Sequence, residues 1–275
     1  MAAVAVASLV AVAVWIGTDD VAPVATTVAA TSGTVPGAEL AGSWATTTTT
    51  TTTTLPTTPA DDGLTIAPPL ARPWANSFVV ADATGPGVAL YAEPDVAVPS
   101  GRVMENPTWE GLALTFLVRE RTLHWLHVQV MSRPNSALAW IKRSDVTLRR
   151  VPHHIVIERG ARRLTAYRGE EVVFQTSVAT GKDSSPTPLG TFFVDGVVRL
   201  SPPHRSYGTG QLSFTGFSEV YTSFGGGVGQ VAMHGTQNPA LIGTPASNGC
   251  VRMTNADIDH LTTLAPTGTP VEVVA

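Results

Sequence analysis

The chain has a single cysteine, Cys250, in 275 residues. One thiol excludes an intramolecular disulfide framework and any zinc site built on two or more cysteines. Cations are sparse too. No Lys or Arg precedes Arg72, and charged residues make up only 14% of the chain. The net charge of −4 supplies no basic field, so nucleic acid is not an expected partner. Helix signals are scarce. Only one stretch has a full set: Thr254 or Asn255 caps it, Asp257 suits its first turn, and Ile258, Leu261 and Leu264 line one face. Pro266 and Gly268 end it. Phosphate-binding motifs are missing as well. Gly181-Lys182 has Thr176 where a P-loop needs its first glycine, and Asp183 where it needs Ser or Thr. The run "FGGGVG", Phe224–Gly229, lacks the dinucleotide-binding spacing and reads as a hairpin tip.

What is present in the first part of the chain is simple in composition. Ala2 to Gly17 is an unbroken run of small apolar residues. It falls slightly short of the roughly 20 residues that cross a bilayer as a helix. No basic segment precedes it, and Asp19 and Asp20 follow. We expect residues 1–17 to be a signal anchor or the core of a signal peptide, with a membrane anchor through residues 2–17 and an exported C-terminus. Residues 18–73 are rich in Ala, Thr, Val and Pro, carry the tract Thr46–Thr54, and have Trp44 as their one aromatic. Such a segment cannot bury a core and is expected to be a disordered, exposed linker.

Folded sequence is expected from Trp74, and all of it is mainly β. "SFVVA" (Ser77–Ala81), "LALTFLV" (Leu112–Val118) and "WLHVQV" (Trp125–Val130) have strand composition. Leu126, Val128 and Val130 alternate with His127 and Gln129, which predicts one buried face. "SRPNSA" (Ser132–Ala137) predicts a turn and "LAWIK" (Leu138–Lys142) its returning strand. Several short strands in residues 74–150 predict a small barrel, and Trp125–Val146 resembles the end of a bacterial SH3-like domain. His124 and His127 read as surface residues rather than metal ligands. Further strands follow at His154–Glu158, Arg163–Arg168 and Glu171–Ala179.

Cys250 itself does not sit in an apolar periodic segment, where a structural cysteine belongs. It follows a run of turn formers: Asn238, Pro239, Gly243, Pro245, Asn248 and Gly249. Upstream, Val231, Ala232 and Met233 form a short apolar run that ends at His234. The two residues are too far apart in sequence for one helix face and meet only if the loop folds back. A cysteine nucleophile needs a base or cation nearby. Of seven histidines, His234 is the best placed, at a strand end. The Gly235 carbonyl can orient its imidazole. The N–H groups of Gly249 and Cys250 can face the oxyanion of a tetrahedral intermediate. Ser247 is a weak rival nucleophile, because Pro245 stands where the G-x-S-x-G elbow needs glycine.

Residues 151–275 resemble the L,D-transpeptidase catalytic domain of the YkuD type. The matching stretches are "ATGKDSSPTPLGTF" (Ala179–Phe192), "MHGT" (Met233–Thr236), "IGTPASNGCVRMTNADIDHL" (Ile242–Leu261) and "GTPVEVV" (Gly268–Val274). The resemblance implies a β-rich sandwich around a cleft, with Cys250 as nucleophile, His234 as base and the Gly235 carbonyl as third member. Ser247, Asn248 and Arg252 are the expected substrate-side residues. Asn248 stands where many members carry His. Arg252 has a second reading, an ion pair with Asp257 that braces the helix start. No cofactor and no metal are implied. The implied reaction acts on peptidoglycan stem peptides outside the cytoplasm, in the wall or periplasm, in the service of wall biogenesis and cell shape. The thiolate attacks the amide that holds the terminal D-alanine, and the resulting thioester passes to a neighbouring stem as a 3–3 cross-link. Carbapenem inhibition is implied as well. Two other classes stay open: an L,D-carboxypeptidase or other cysteine hydrolase of wall peptides, and a non-catalytic wall-binding protein.

Overall fold

The computed structural model describes residues 64–94, 99–224 and 227–275. The expected apolar segment at 1–17, and the linker up to residue 63, lie outside the described residues. Strands dominate the described chain, with one α-helix, as the scarcity of helix signals requires. No described helix is long and apolar enough to cross a membrane.

The first half forms β1 (Thr65–Ile66), β2 (Phe78–Ala83), β3 (Gly87–Ala89), β4 (Val103–Glu105), β5 (Thr115–Arg121), β6 (Trp125–Gln129), β7 (Ala137–Lys142) and β8 (Val146–Val151). Six of them make one sheet in the order β1-β7-β6-β5-β2-β8, while β3 and β4 pair separately. The expected hairpin is present, with β6 and β7 in register from Trp125↔Lys142 to Gln129↔Leu138. Leu126 and Val128 point into a core with Leu90, Phe116 and Ile141, which is the alternation at work. On the other face His127 stacks flat on Trp140, with ring centroids 4.5 Å apart. Gln129 departs from expectation. It is fully buried and donates from Nε2 to the Thr191 carbonyl of the second half. Its polar face is covered by protein rather than water.

The second half forms β9 (His154–Glu158), β10 (Arg163–Arg168), β11 (Glu171–Ser177), β12 (Thr180–Gly181), β13 (Gly190–His204), β14 (Gly208–Phe217), β15 (Gln230–His234), β16 (Pro245–Ser247), β17 (Val251–Arg252), α1 (Asn255–Leu264) and β18 (Pro270–Val274). Eight strands form the larger sheet, in the order β11-β10-β9-β18-β13-β14-β15-β17. Helix α1 starts as its sequence dictates: Thr254 Oγ1 accepts from the Asp257 N–H, the expected side-chain cap. Ile258 and Leu261 bury its inner face in a core with Phe192, Phe214, Met233 and Val251.

Order begins upstream of Trp74. Thr65 and Ile66 pair with Leu138 and Ala137 of β7, so part of the expected linker is a sheet edge. Trp74 itself packs on the second half. Its ring lies 4.3 Å from His154 and 4.6 Å from Tyr167, centroid to centroid. The halves therefore share buried side chains.

Candidate active site

Strand β15 buries Val231 and Met233 in the core. Alternation turns Ala232 and His234 to the opposite face. The chain then leaves the sheet, pairs β16 with β12, and returns as β17 parallel to β15. The register sets Met233 beside Val251 and His234 beside Arg252. Residues level in register share a face, so Val251 joins the core and Arg252 joins His234. Cys250 stands just before β17, where the Ala232 backbone hydrogen-bonds its thiol. The loop does fold back, as the His234–Cys250 spacing required.

His234 is 2% exposed, and its Nδ1 lies 2.7 Å from the Gly235 carbonyl oxygen. A carbonyl only accepts, so Nδ1 carries the proton and Nε2 keeps its lone pair. The Tyr207 ring meets the imidazole edge-on at 4.9 Å. Burial lowers the His234 pKa to about 4, against the raising effect of the Gly235 bond, and the nearby Arg252 and His204 lower it further. A Cβ at Gly235 would crowd Asn255 Oδ1, Ile258 Cγ2 and the Thr209 backbone nitrogen. Burial also pushes the Cys250 thiol above its ordinary range, with the Ala232 bond and Arg252 pulling the other way.

The turn that carries Cys250 is held from two sides. Ser247 Oγ donates to the Cys250 carbonyl at 2.5 Å and accepts from the Gly249 N–H at 3.1 Å. From the β12–β13 loop, Ser185 Oγ donates to the Asn248 carbonyl at 2.9 Å and Thr187 Oγ1 donates to the Gly249 carbonyl at 2.8 Å. Gly249 has φ +126°, a backbone conformation that favours glycine, and a Cβ there would crowd Val231 Cγ1 at 3.1 Å.

Two of the expected site residues are engaged by these bonds. The Gly249 N–H already donates to Ser247 and is not a spare oxyanion donor in this structure. Ser247 is 1% exposed and braces the turn. The remaining expected residues converge. His234, Cys250, Arg252 and Asn248 line one cleft of about 340 Å³, together with Arg205 and Tyr207. Arg252 is not spent on the helix. Asp257 accepts instead from Thr254 Oγ1 at 2.7 Å and Thr176 Oγ1 at 3.0 Å. Ser185, Thr187 and Tyr207 were not singled out from sequence. The stretch "TGKDSSPTPLG", which holds Ser185 and Thr187, is visible as a motif, but which hydroxyl reaches which carbonyl is decided by the fold. Among the described residues, no group of three His, Cys, Asp or Glu side chains is placed to hold a metal ion.

The YkuD family, the L,D-transpeptidase catalytic domain, matches residues 152–273. YkuD of Bacillus subtilis strain 168, named for L,D-transpeptidase activity, is 33% identical over 123 residues, covering 45% of this chain and 66% of that protein. YqjB of the same organism, named likewise, is 30% identical over 122 residues, covering 43% of this chain and 69% of that protein. The chain thus spans just under two thirds of YkuD. Among solved structures, an L,D-transpeptidase from Mycobacterium smegmatis is 17% identical with a TM-score of 0.37, covering 57% of this chain and 80% of that one. Another, solved in complex with imipenem, is 15% identical with a TM-score of 0.37, covering 55% of this chain and 90% of that one.

Proposed function

This chain belongs to the YkuD family of L,D-transpeptidase catalytic domains, and from that membership we propose that it is a peptidoglycan L,D-transpeptidase working through a Cys250 thioester. One observation carries the mechanism. The Gly235 carbonyl fixes the His234 tautomer at 2.7 Å, leaving Nε2 as a base on the cleft that Cys250 also lines.

The proposed steps are those of nucleophilic catalysis. Cys250 gives its proton to His234 Nε2 as Sγ attacks the amide carbon before the terminal D-alanine. The Cys250 N–H faces the oxygen that becomes negative. The intermediate collapses, and His234 returns the proton to the departing D-alanine amine. A thioester remains on Sγ. The side-chain amine of a second stem then attacks the thioester carbon, gives its extra proton to His234, and releases Sγ, which recovers the proton. The product is a 3–3 cross-link. Arg252 and Arg205 put positive charge in the cleft without a lining carboxylate, which suits a donor stem that carries free carboxylates.

We also propose an extracytoplasmic location for the domain, in keeping with a wall substrate, and an SH3-like character for residues 74–150. The test of function is incubation of the purified protein with tetrapeptide stems, with and without an acceptor amine. Cross-linked dimer is expected. Trimmed tripeptide alone would identify a hydrolase, and bound but unchanged stem a wall-binding protein. In the same assay one thiol-directed alkyl group per chain should abolish turnover, and Cys250→Ala should be inactive. A strained β-lactam is an acyl donor for the same thiol. A carbapenem should add once to the intact mass, on the peptide that contains Cys250, and not at all to Cys250→Ala.

A further inference from the structure

We propose that Arg133 and Asn135, on the β6–β7 turn of the first half, are positioning residues for the cleft of the second half. The inference rests on the transpeptidase reading for its kinetic consequence, but not for its structural one. The segment 218–229 joins β14 to β15, and Ser218, Tyr221, Phe224 and Gly229 from it line the cleft beside Cys250 and His234. The Ser218, Tyr221 and Val228 carbonyls lie outside the strands and need donors of their own.

Arg133 supplies them. Its Nη1 donates to the Ser218 carbonyl at 2.8 Å, and its Nη2 donates to the Tyr221 and Val228 carbonyls, each at 3.1 Å. Those acceptors come from both arms of the segment, so one planar guanidinium ties entry to exit. The guanidinium carbon also sits 5.0 Å from the centre of the Phe217 ring. Asn135 holds the residue at the segment's root. Its Nδ2 donates to the Phe217 carbonyl and its Oδ1 accepts from the Phe217 N–H, both at 2.8 Å, as a neighbouring strand would. The turn is itself fixed to the second half. Ser136 Oγ donates to the Thr191 carbonyl at 2.8 Å and accepts from the Thr191 N–H at 3.0 Å. The shape of the cleft wall is thus set by side chains from outside the catalytic half. A lysine cannot replace Arg133, because an ammonium lacks the flat fork that reaches three carbonyls at once.

The test compares Arg133→Ala, Arg133→Lys and Asn135→Ala with wild type and with Arg121→Ala, an exposed arginine of the same half, all in the full chain. Five quantities are read: thermal midpoint, deuterium uptake of peptides covering 218–229, the rate at which iodoacetamide alkylates Cys250, and kcat and KM for a soluble donor stem. In folded Arg133→Ala and Asn135→Ala, exchange in 218–229 should rise about tenfold or more. Turnover should fall about 10- to 100-fold in kcat/KM, mainly through KM, since a misplaced wall costs positioning. Alkylation by the small reagent should change less than about threefold, because it needs no wall. Arg133→Lys should stay closer to Ala than to wild type, and Arg121→Ala should match wild type. Unchanged exchange in folded Arg133→Ala and Asn135→Ala overturns the proposal, and so does unchanged KM in both. A wild-type protein without stem turnover overturns the transpeptidase reading alone, and the exchange result still decides the clamp.

Discussion

At the cleft, two shifts act on the same pair. Burial lifts the Cys250 thiol and holds the His234 imidazole down to about 4. Both favour a resting pair of neutral thiol and neutral imidazole. In the proposed reaction the proton therefore moves during attack, by general-base catalysis. His234 must be unprotonated to accept it, so kcat/KM should rise with pH through about 4 and then stay level toward neutrality. Alkylation of Cys250 should instead keep climbing into the alkaline range, as thiolate forms. An alkylation rate that is flat across mildly acid and neutral pH would reveal a preformed thiolate–imidazolium pair and sink this account. Ser247 belongs to the same scale. Ser247→Ala removes a donor from the Cys250 carbonyl and an acceptor from the Gly249 N–H. Each buried group left unpaired costs about 1–3 kcal/mol. The expected result is a lower kcat with KM little changed, read by steady-state kinetics in a variant that still melts cooperatively. Cys250, His234 and Gly235 were legible in sequence because a thiol on a glycine turn and a strand-ending His-Gly are local patterns. The bond between Ser247 and Gly249 was not legible, since the direction of a hydroxyl is fixed only by the folded turn.

Strand β9 carries an unusual burden. Its first residue, His154, is wholly buried, and neither ring nitrogen has a hydrogen-bond partner. Trp74, Phe78 and Tyr167 surround it, with Tyr167 stacked at 5.1 Å. Burial lowers its pKa to about 4, with Glu170 pulling up and Arg72 and His153 pushing down. An unfolded histidine takes its proton near pH 6.5, and the folded one only near 4. The stability from keeping it neutral is complete above about 6.5 and drains as pH falls toward 4. At the bottom of that window the loss is on the order of 3 kcal/mol. His154→Phe should flatten the acid side of the stability curve, measured by urea unfolding at several pH values. A variant with the wild-type slope would mean that His154 is hydrated through its unpartnered nitrogens. The strand itself was plain in "HIVIE", whose apolar run matches β9 end to end. Burial of His154 was not plain, because its cover comes from Trp74, which is distant in sequence. The same holds for Gln129: period-two alternation assigns it a face but not what lies against that face.

Across the whole molecule, the two halves are joined at many points that no local pattern announces. The Leu70 N–H donates to Glu272 of β18 at 2.5 Å, and the Trp74 N–H donates to Glu170 at 2.5 Å. Arg149 of β8 pairs with Asp82 at 2.6 Å and also reaches the Thr267 carbonyl at 2.9 Å, just before β18. Val80 packs so closely on Gly268 that a Cβ there would lie 2.5 Å from it. A tethered wall-binding module would be joined to its enzyme by a linker and a polar, separable surface. Here the first half lays Trp74 over His154 and Tyr167 and donates from Arg133 to the Ser218, Tyr221 and Val228 carbonyls. Cutting the chain at residue 150 would remove Trp74, expose His154 and Tyr167, strand Glu272 and leave the Ser218, Tyr221 and Val228 carbonyls without their donor. We therefore expect a 151–275 fragment to lose turnover of a soluble stem by about 100-fold or more, or to fail to fold. Retention on isolated wall should fall together with turnover. Parallel measurement of turnover, wall retention and thermal unfolding on the fragment and the full chain decides the matter. A folded fragment that keeps full turnover while losing only retention would make residues 74–150 a separable binding module. That outcome would also require the cleft wall to hold its shape without Arg133.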